Sequence, residues 1–408
     1  MLSNKILYNS RYQHPVGQGF FHTGQISFGG KTLHYVYDCG SEDICSLSTC
    51  IRGYLSNLNG QRKIDVLFLS HLHKDHVNGL DLLLGGISVD TVIIPYLSPI
   101  ERLAFLASSL NEQPLSASFI QLISNPTQWF ETHGVKDVLH VKKGNDSIPK
   151  FRKKIDSKID IPSESLKIDF NSIESPEDSQ NPSKTIKTIS DSDPLYIKAN
   201  RAFLNWTFLT YVCPEDKQHI NKFEKLVKKE FGDIPHENER LVDIVQNLRE
   251  RKKLYSCYYS TWSGNLNATS LSMYSGPFKI TANFRISNQC QPDLNIVPNN
   301  LNSDRCAWLG TGDSDLRTNK RRSEFLKHFK SVSKLVHSLA LPHHGSKGNF
   351  HQKLLDIGSP VCVVSAGNRY KHPSKEVVQA VLNENRHLVI VSNDINSMWC
   401  EKVALSWK

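Results

Sequence analysis

Residues 71–76 read His71-Leu72-His73-Lys74-Asp75-His76, three imidazoles and one carboxylate in immediate succession. The apolar run at 66–69 that precedes them has the composition of a buried strand. On the chain leaving that strand, His71 and His73 are two residues apart, so they face the same way and can share one cation. Asp75 and His76 fall at the start of the next turn or helix, aimed at a second cation beside the first. Imidazole nitrogens with a carboxylate oxygen suit Zn²⁺ first, with Mn²⁺ or Fe as alternatives. The competing reading is a strand end carrying solvated histidines.

Two later strand ends offer matching groups. The run at 306–309 leads into Gly310-Thr311-Gly312-Asp313. A carboxylate placed after small residues at a strand end can approach two metals and bridge them, or it can be the solvated Asp of a glycine-rich turn. The strand expected at 334–341 runs into Pro342-His343-His344-Gly345-Ser346, a second histidine cluster. After a strand over Val361–Ser365, one loop carries Arg369, Tyr370, Lys371 and His372. These could contact a phosphate or protonate a leaving group, or simply form a capped loop ahead of a helix that starts near Ser374.

The elements that must position these groups are legible in outline. Residues 12–40 read as two or three strands, and Gly17 and Gly19 permit a tight bend beside another backbone. The strand at 33–37 closes on Asp38-Cys39-Gly40, where an Asp beside Gly is an ordinary turn former. Residues 42–58 are helical or loop-like, 80–84 begin a helix, 89–95 and 138–141 are strands, and 101–110 and 115–123 are helices. Residues 203–212 and 266–274 supply strands further on. The segment 150–194, dense in Ser, Asp, Lys and Pro, cannot bury much apolar area and reads as a mobile insertion. A basic insertion at 214–256 reads as two helices, 215–231 and 238–253. Its apolar residues (Phe223, Val227, Leu241, Ile244) recur at helical spacing among Lys222, Lys225, Lys228, Lys229, Arg249, Arg251, Lys252 and Lys253. This is either a solvated amphipathic face or a phosphate-tracking lid.

Composition sets the outer limits. With 408 residues and 39% hydrophobic content, the whole chain, 1–408, reads as one domain around a real core, with the two insertions. No run approaches the roughly 18 apolar residues of a membrane span, so no membrane partner is expected. The N-terminus lacks the apolar core of a secretory signal, which makes the cytoplasm the expected location. Nine cysteines without a C-x-x-C motif read as reduced thiols. A net charge of +9 permits phosphate-rich partners without establishing them.

H-x-H-x-D-H after an apolar strand resembles the signature of the metallo-β-lactamase-fold hydrolases. The resemblance implies an α/β, four-layer αββα sandwich with the site at one edge, on loops leaving strand ends. It places His71 and His73 on one metal and Asp75 and His76 on the other. It makes Asp313 the bridge and His344, the His before the small residue, the last ligand, with His343 orienting or shielding the site. VYDCG resembles the family's first motif, which gives Asp38 the role of orienting the metal-binding loop. TGDSD, LPHHGSK and SAGNRYKHPSKEVVQAV, with VGQGFF and VYDCG, are similar to the hydrolase module of ComEC-type DNA-uptake competence proteins. There, a segment like Asn267-Ala268-Thr269-Ser270-Leu271 precedes the TGD strand. The likeness covers 12–95 and 203–390.

The function so implied is that of a metal-dependent hydrolase holding one or two Zn ions (or Mn or Fe). A phosphodiesterase or nuclease acting on DNA, RNA or a nucleotide through a metal-activated water is favoured. Asp75 or Asp313 would orient the water, and His372 or Arg369 would assist the leaving group. Ser346, Asn267, Ser270 and Tyr370 would line the substrate. Many binuclear members have a third His on the first metal; His133 and His140 stand in the right order, and Asn267 or Ser270 are alternatives. The rivals are a small-molecule hydrolase for a cyclic or modified nucleotide, lactone or similar ester, and a metal-binding subunit of a multiprotein complex docked through the helical insertion.

Overall fold

Two mixed sheets lie face to face in the computed structural model, which describes residues 6–58, 60, 63–110, 115–144, 148–152, 165–170, 186–263, 266, 269–279, 283–290, 305–367 and 371–406. The nine-stranded sheet runs Asn283–Cys290, Trp399–Ser406, Ile6–Gln13, Gly19–Phe28, Lys31–Ser41, Lys63–Phe68, Ser88–Pro95, Asp137–Lys142 and Thr188–Ser190 in spatial order. From Lys31–Ser41 onward its neighbours are parallel. The eight-stranded sheet runs His387–Val391, Val361–Ser365, Val336–Ala340, Ala307–Gly310, Ser270–Gly276, Ala202–Cys213, Leu195–Ala199 and Leu166–Asp169. Its first four strands are parallel. Parallel strands buried on both faces read as unbroken apolar runs, which is why 66–69 and 361–364 stand out in the sequence.

Between the sheets, Tyr35, Tyr37, Val66, Phe68 and Ile93 meet Trp206, Phe208, Met273 and Trp308. Outside the first sheet, the helices Ile44–Asn57, Leu80–Gly86, Pro99–Ser109 and Ala117–Ser124 cover Val36, Leu67, Val92 and Val138. Outside the second, Asn319–Phe329 and Lys375–Asn383 cover Leu309, Leu339, Cys362 and Val364. The result is helix, sheet, sheet, helix: the four-layer αββα order that the resemblance implied.

The basic insertion holds three helices, Lys217–Phe231, Asn238–Gln246 and Leu248–Trp262, where two were expected. Asn247 ends one helix and caps the next, its side chain accepting from the backbone N–H groups of Arg249 and Glu250, as a short polar side chain does at an N-cap. Phe223, Val227, Leu241, Ile244, Leu254 and Trp262 share one core with the Pro99–Ser109 helix. Several of the insertion's cations are committed locally. Lys222 donates to Ser260 O at 2.6 Å and Lys228 to Glu224 at 2.7 Å, Lys253 lies 3.5 Å from Glu230, and Arg251 Nε donates to Leu110 O at 2.9 Å. These are four of the eight basic residues named above.

The segment 150–194 is not uniformly without structure. Leu166–Asp169 and Thr188–Ser190 are strands that close one edge of each sheet, with Leu166 and Ile189 buried. A few apolar residues suffice where an existing edge supplies backbone partners. Residues 153–164 and 171–185 lie outside the described residues. Seven cysteines (Cys39, Cys50, Cys213, Cys257, Cys306, Cys362 and Cys400) are buried and unbridged. Among the described residues, no helix is long and apolar enough to cross a membrane.

Candidate metal centre

The site forms where parallel strands of both sheets end, the usual place for ligands in such sheets. Lys63–Phe68 delivers Ser70, His71 and His73, and the short helix Lys74–Val77 delivers Asp75 and His76. One turn of helix has no stability of its own; it is seated on the strand Lys31–Ser41. A Cβ added at Gly40 would lie 2.5 Å from the backbone of Asp75 and His76, so only glycine admits this contact. Asp38, two residues earlier, adopts φ 58° and is fully buried beneath the site.

Asp38 fixes two of the imidazoles at once. Its Oδ1 accepts from the Ser70 N–H at 2.6 Å, and its Oδ2 accepts from the Ser70 hydroxyl at 2.6 Å and from His76 Nδ1 at 2.9 Å. With its proton given to Asp38, Ser70 Oγ accepts from His71 Nδ1 at 2.9 Å. Nδ1 of both rings therefore carries the proton, and Nε2 of each turns a lone pair into the site. His344 follows the same rule, its Nδ1 donating to Ser365 O at 2.8 Å.

The second sheet brings the remaining carboxylate. Gly312, at φ 52°, lets the chain pass close to Ser70 and Ser270: a Cβ there would sit 2.7 Å from Ser70 Cβ and 2.6 Å from Ser270 Oγ. Asp313 N–H donates to Ser270 Oγ at 3.0 Å. Asp313 then straddles the two groups, Oδ2 at 3.5 Å from His71 Nε2 and Oδ1 at 3.5 Å from His76 Nε2. His71 Nε2 and His73 Nδ1 are 3.1 Å apart, and His344 Nε2 is 3.4 Å from Asp75 Oδ2. Two triads result, His71-His73-Asp313 and Asp75-His76-His344, each with its ligand atoms within 4.8 Å of one another.

The donors fit divalent cations. His76 Nε2 and His344 Nε2 are buried and make no hydrogen bond among the described residues; a buried imidazole nitrogen facing carboxylates asks for a cation or a proton. With the chain's own groups alone, burial opposes charge on His76, yet Asp75, Asp313 and Asp38 outweigh it and hold the ring up at about 10. Burial likewise works against ionised Asp75, but His76, His344 and His73 keep it well below the ordinary carboxylate range. Burial dominates at His73, lowering it to about 4. Two carboxylates and four imidazoles thus favour added positive charge between them.

The other residues singled out from sequence divide. Ser270 is buried and holds the Asp313 loop, so it does not face a substrate. Ser346 Oγ accepts from Gly348 N–H at 3.1 Å within its own turn. His372 sits near His343, ring centres 6.1 Å apart; burial, with His344 and His343 beside it, lowers it to about 4. Near neutral pH the ring is then uncharged and a weak base. Arg369, Tyr370 and Asn267 lie outside the described residues. His133 bonds to Trp129 O at 2.7 Å and His140 pairs with Thr127 at 2.8 Å; neither joins a triad. Sequence reasoning passed over Ser70, Ser365 and Asn349. It also passed over Phe105, whose ring meets His73 edge-on at 4.9 Å and walls the site.

No protein-family model and no curated protein matches the chain. Among solved structures, the metallo-beta-lactamase fold protein YhfI from Bacillus subtilis is similar at 9% identity and a TM-score of 0.38, over 96% of this chain and 99% of that one. A long form RNase Z from yeast is similar at 10% identity and a TM-score of 0.28, over 82% of this chain and 32% of that one. Likenesses this distant assign neither family nor activity.

Proposed function

We propose that this chain is a metal-dependent hydrolase that acts on phosphodiesters, in nucleic acid or in nucleotides. The observation that carries the reading is Asp313, set 3.5 Å from an imidazole of each triad, where one carboxylate can serve two cations. Two divalent cations bound there, Zn²⁺ first and Mn²⁺ or Fe as alternatives, would bring a water's pKa toward neutrality and offset charge on the attacked group. The chain's own residues do the rest. Asp38 and Ser70 fix the tautomers of His71 and His76, Ser270 holds Asp313 in place, and Phe105 keeps bulk water off one side of His73. Net charge and the likeness of TGDSD and LPHHGSK to the ComEC-type module support a phosphodiester over a lactam or lactone. The locally paired cations of the helical insertion favour a small phosphodiester, such as a cyclic nucleotide, as the second reading.

The test is metal content measured alongside cleavage of labelled single- and double-stranded DNA, RNA, cyclic nucleotides and bis(p-nitrophenyl) phosphate. The doubly substituted His73→Ala/Asp75→Ala chain is the control. Metal-dependent cleavage that the control loses by about 10³-fold or more supports the reading, and the preferred substrate decides between polymer and small molecule. Bound metal without cleavage of any of these would overturn it.

A further inference from the structure

His343 stands on the open side of the first triad, its side chain 38% exposed. Its Nδ1 meets Asn349 Oδ1 at 3.0 Å. The Asn349 amide is itself oriented, because its Nδ2 donates to Asp313 O at 2.9 Å, so the oxygen and not the nitrogen faces the ring. The neutral His343 ring therefore carries its proton on Nδ1. Nε2 is left with a lone pair 3.7 Å from Asp313 Oδ2, the oxygen that His71 Nε2 faces at 3.5 Å. Lone pair against carboxylate is repulsive unless positive charge lies between them. Ligands bound to one cation at about 2.0–2.2 Å each stand roughly 3–4 Å from their neighbours in the shell; His343 Nε2 has that spacing to Asp313 Oδ2 but stands outside the tighter His71-His73-Asp313 group, so the half-exposed ring would close on it when a cation binds.

The backbone is shaped to the same end. His343 and His344 both adopt left-handed conformations, φ 48° and 56°, which cost about 1–2 kcal/mol each for residues other than glycine. His343 N–H is pinned to Gly312 O at 3.1 Å. This paired conformation lets successive imidazoles serve different groups, His343 toward Asp313 and His344 toward Asp75.

We propose that His343 is the fourth protein ligand of the cation held by His71, His73 and Asp313, with Asn349 as its positioning residue. It takes the place for which His133 and His140 were the sequence candidates. The inference rests on the metal-centre reading above. The competing arrangement is a protonated His343 that pairs with Asp313 and binds no cation.

Equilibrium titration of the metal-stripped full chain with Co²⁺ against a competing chelator, following the visible d–d bands, separates the two. The wild type is expected to take up two cations. His343→Ala should keep one at unchanged affinity, in the Asp75-His76-His344 group, and weaken the other by at least about 10-fold, with altered d–d bands for that step. Asn349→Leu, which leaves the imidazole in place but unoriented, should weaken the same step by a smaller factor. Because His343 is partly exposed, far-ultraviolet circular dichroism should be unchanged in His343→Ala. Two cations bound by His343→Ala with wild-type affinity and bands would overturn this proposal and leave the metal-centre reading intact. A wild type that binds no cation would overturn both.

Discussion

Asp38 accepts three hydrogen bonds within 2.9 Å, and through them sets which nitrogen of His71 and His76 is free. Asn at this position keeps the shape but presents an N–H₂ where an acceptor is required. His76 Nδ1 must then accept, which moves its proton to Nε2, the nitrogen that faces Asp75 and Asp313. Asp38→Asn is therefore expected to bind metal about 10–100-fold more weakly at the Asp75-His76-His344 group while the chain stays folded, as measured by isothermal titration of the metal-stripped chain. Wild-type affinity in this variant would mean that Asp38 serves the fold alone. The ligands themselves were legible because they cluster within one short motif or follow apolar runs. Their supports were not. Ser70, Ser365 and Asn349 are residues of common type whose partners in other elements the linear sequence does not mark.

At the scale of elements, the site depends on how closely one strand approaches one turn of helix. The Cys39 carbonyl accepts from Gly79 N–H at 2.9 Å, and the absent side chain of Gly40 leaves the space that Asp75 and His76 backbone atoms fill. A methyl group there must displace Lys74–Val77, since the atoms it meets are backbone and cannot rotate aside. Gly40→Ala should lose about 2 kcal/mol or more of stability and weaken metal binding at both triads, because Asp75 and His76 move relative to His71. Urea denaturation with metal titration checks both, and an unchanged profile would show that the helix is free to shift. The same scale shows what sequence pattern can and cannot reveal. The apolar ends of Lys63–Phe68 and Ala307–Gly310, ahead of the first histidines and Asp313, announce themselves. Ile6–Gln13 does the opposite: after Leu7, the buried residues are Asn9, Arg11 and Gln13, while Tyr8 is 51% exposed. Its alternation is inverted, so hydropathy alone hides the strand.

The inversion has its cause at the scale of the whole molecule. Arg11 on the first strand and Glu401 on the last, both fully buried, pair at 2.7 Å within the nine-stranded sheet. Arg11 also reaches Cys306 O at 2.9 Å, and Glu401 Oε1 accepts from Ser338 and lies 2.8 Å from His337 Nδ1. One buried carboxylate thus joins the two terminal strands to the opposite sheet. Burial by itself would raise the Glu401 pKa, but Arg11 and His337 prevail and hold it well below the ordinary carboxylate range. A depressed folded-state pKa contributes stability that is complete above the unfolded value of about 4.3 and is lost as pH falls toward the folded value. Glu401→Gln leaves the Arg11 guanidinium buried without its counter-charge, so at pH 7 it should cost about 3–5 kcal/mol. Below about pH 4.3, wild-type stability should fall faster than that of Glu401→Gln by up to about 1.4 kcal/mol per pH unit, one proton's worth. The two curves therefore converge in acid. Urea unfolding at pH 7 and at several values between about 3 and 4.3 tests this. Parallel curves would show that the carboxylate is not ionised in the fold, and that hydrogen bonds alone hold the terminal strands to the second sheet.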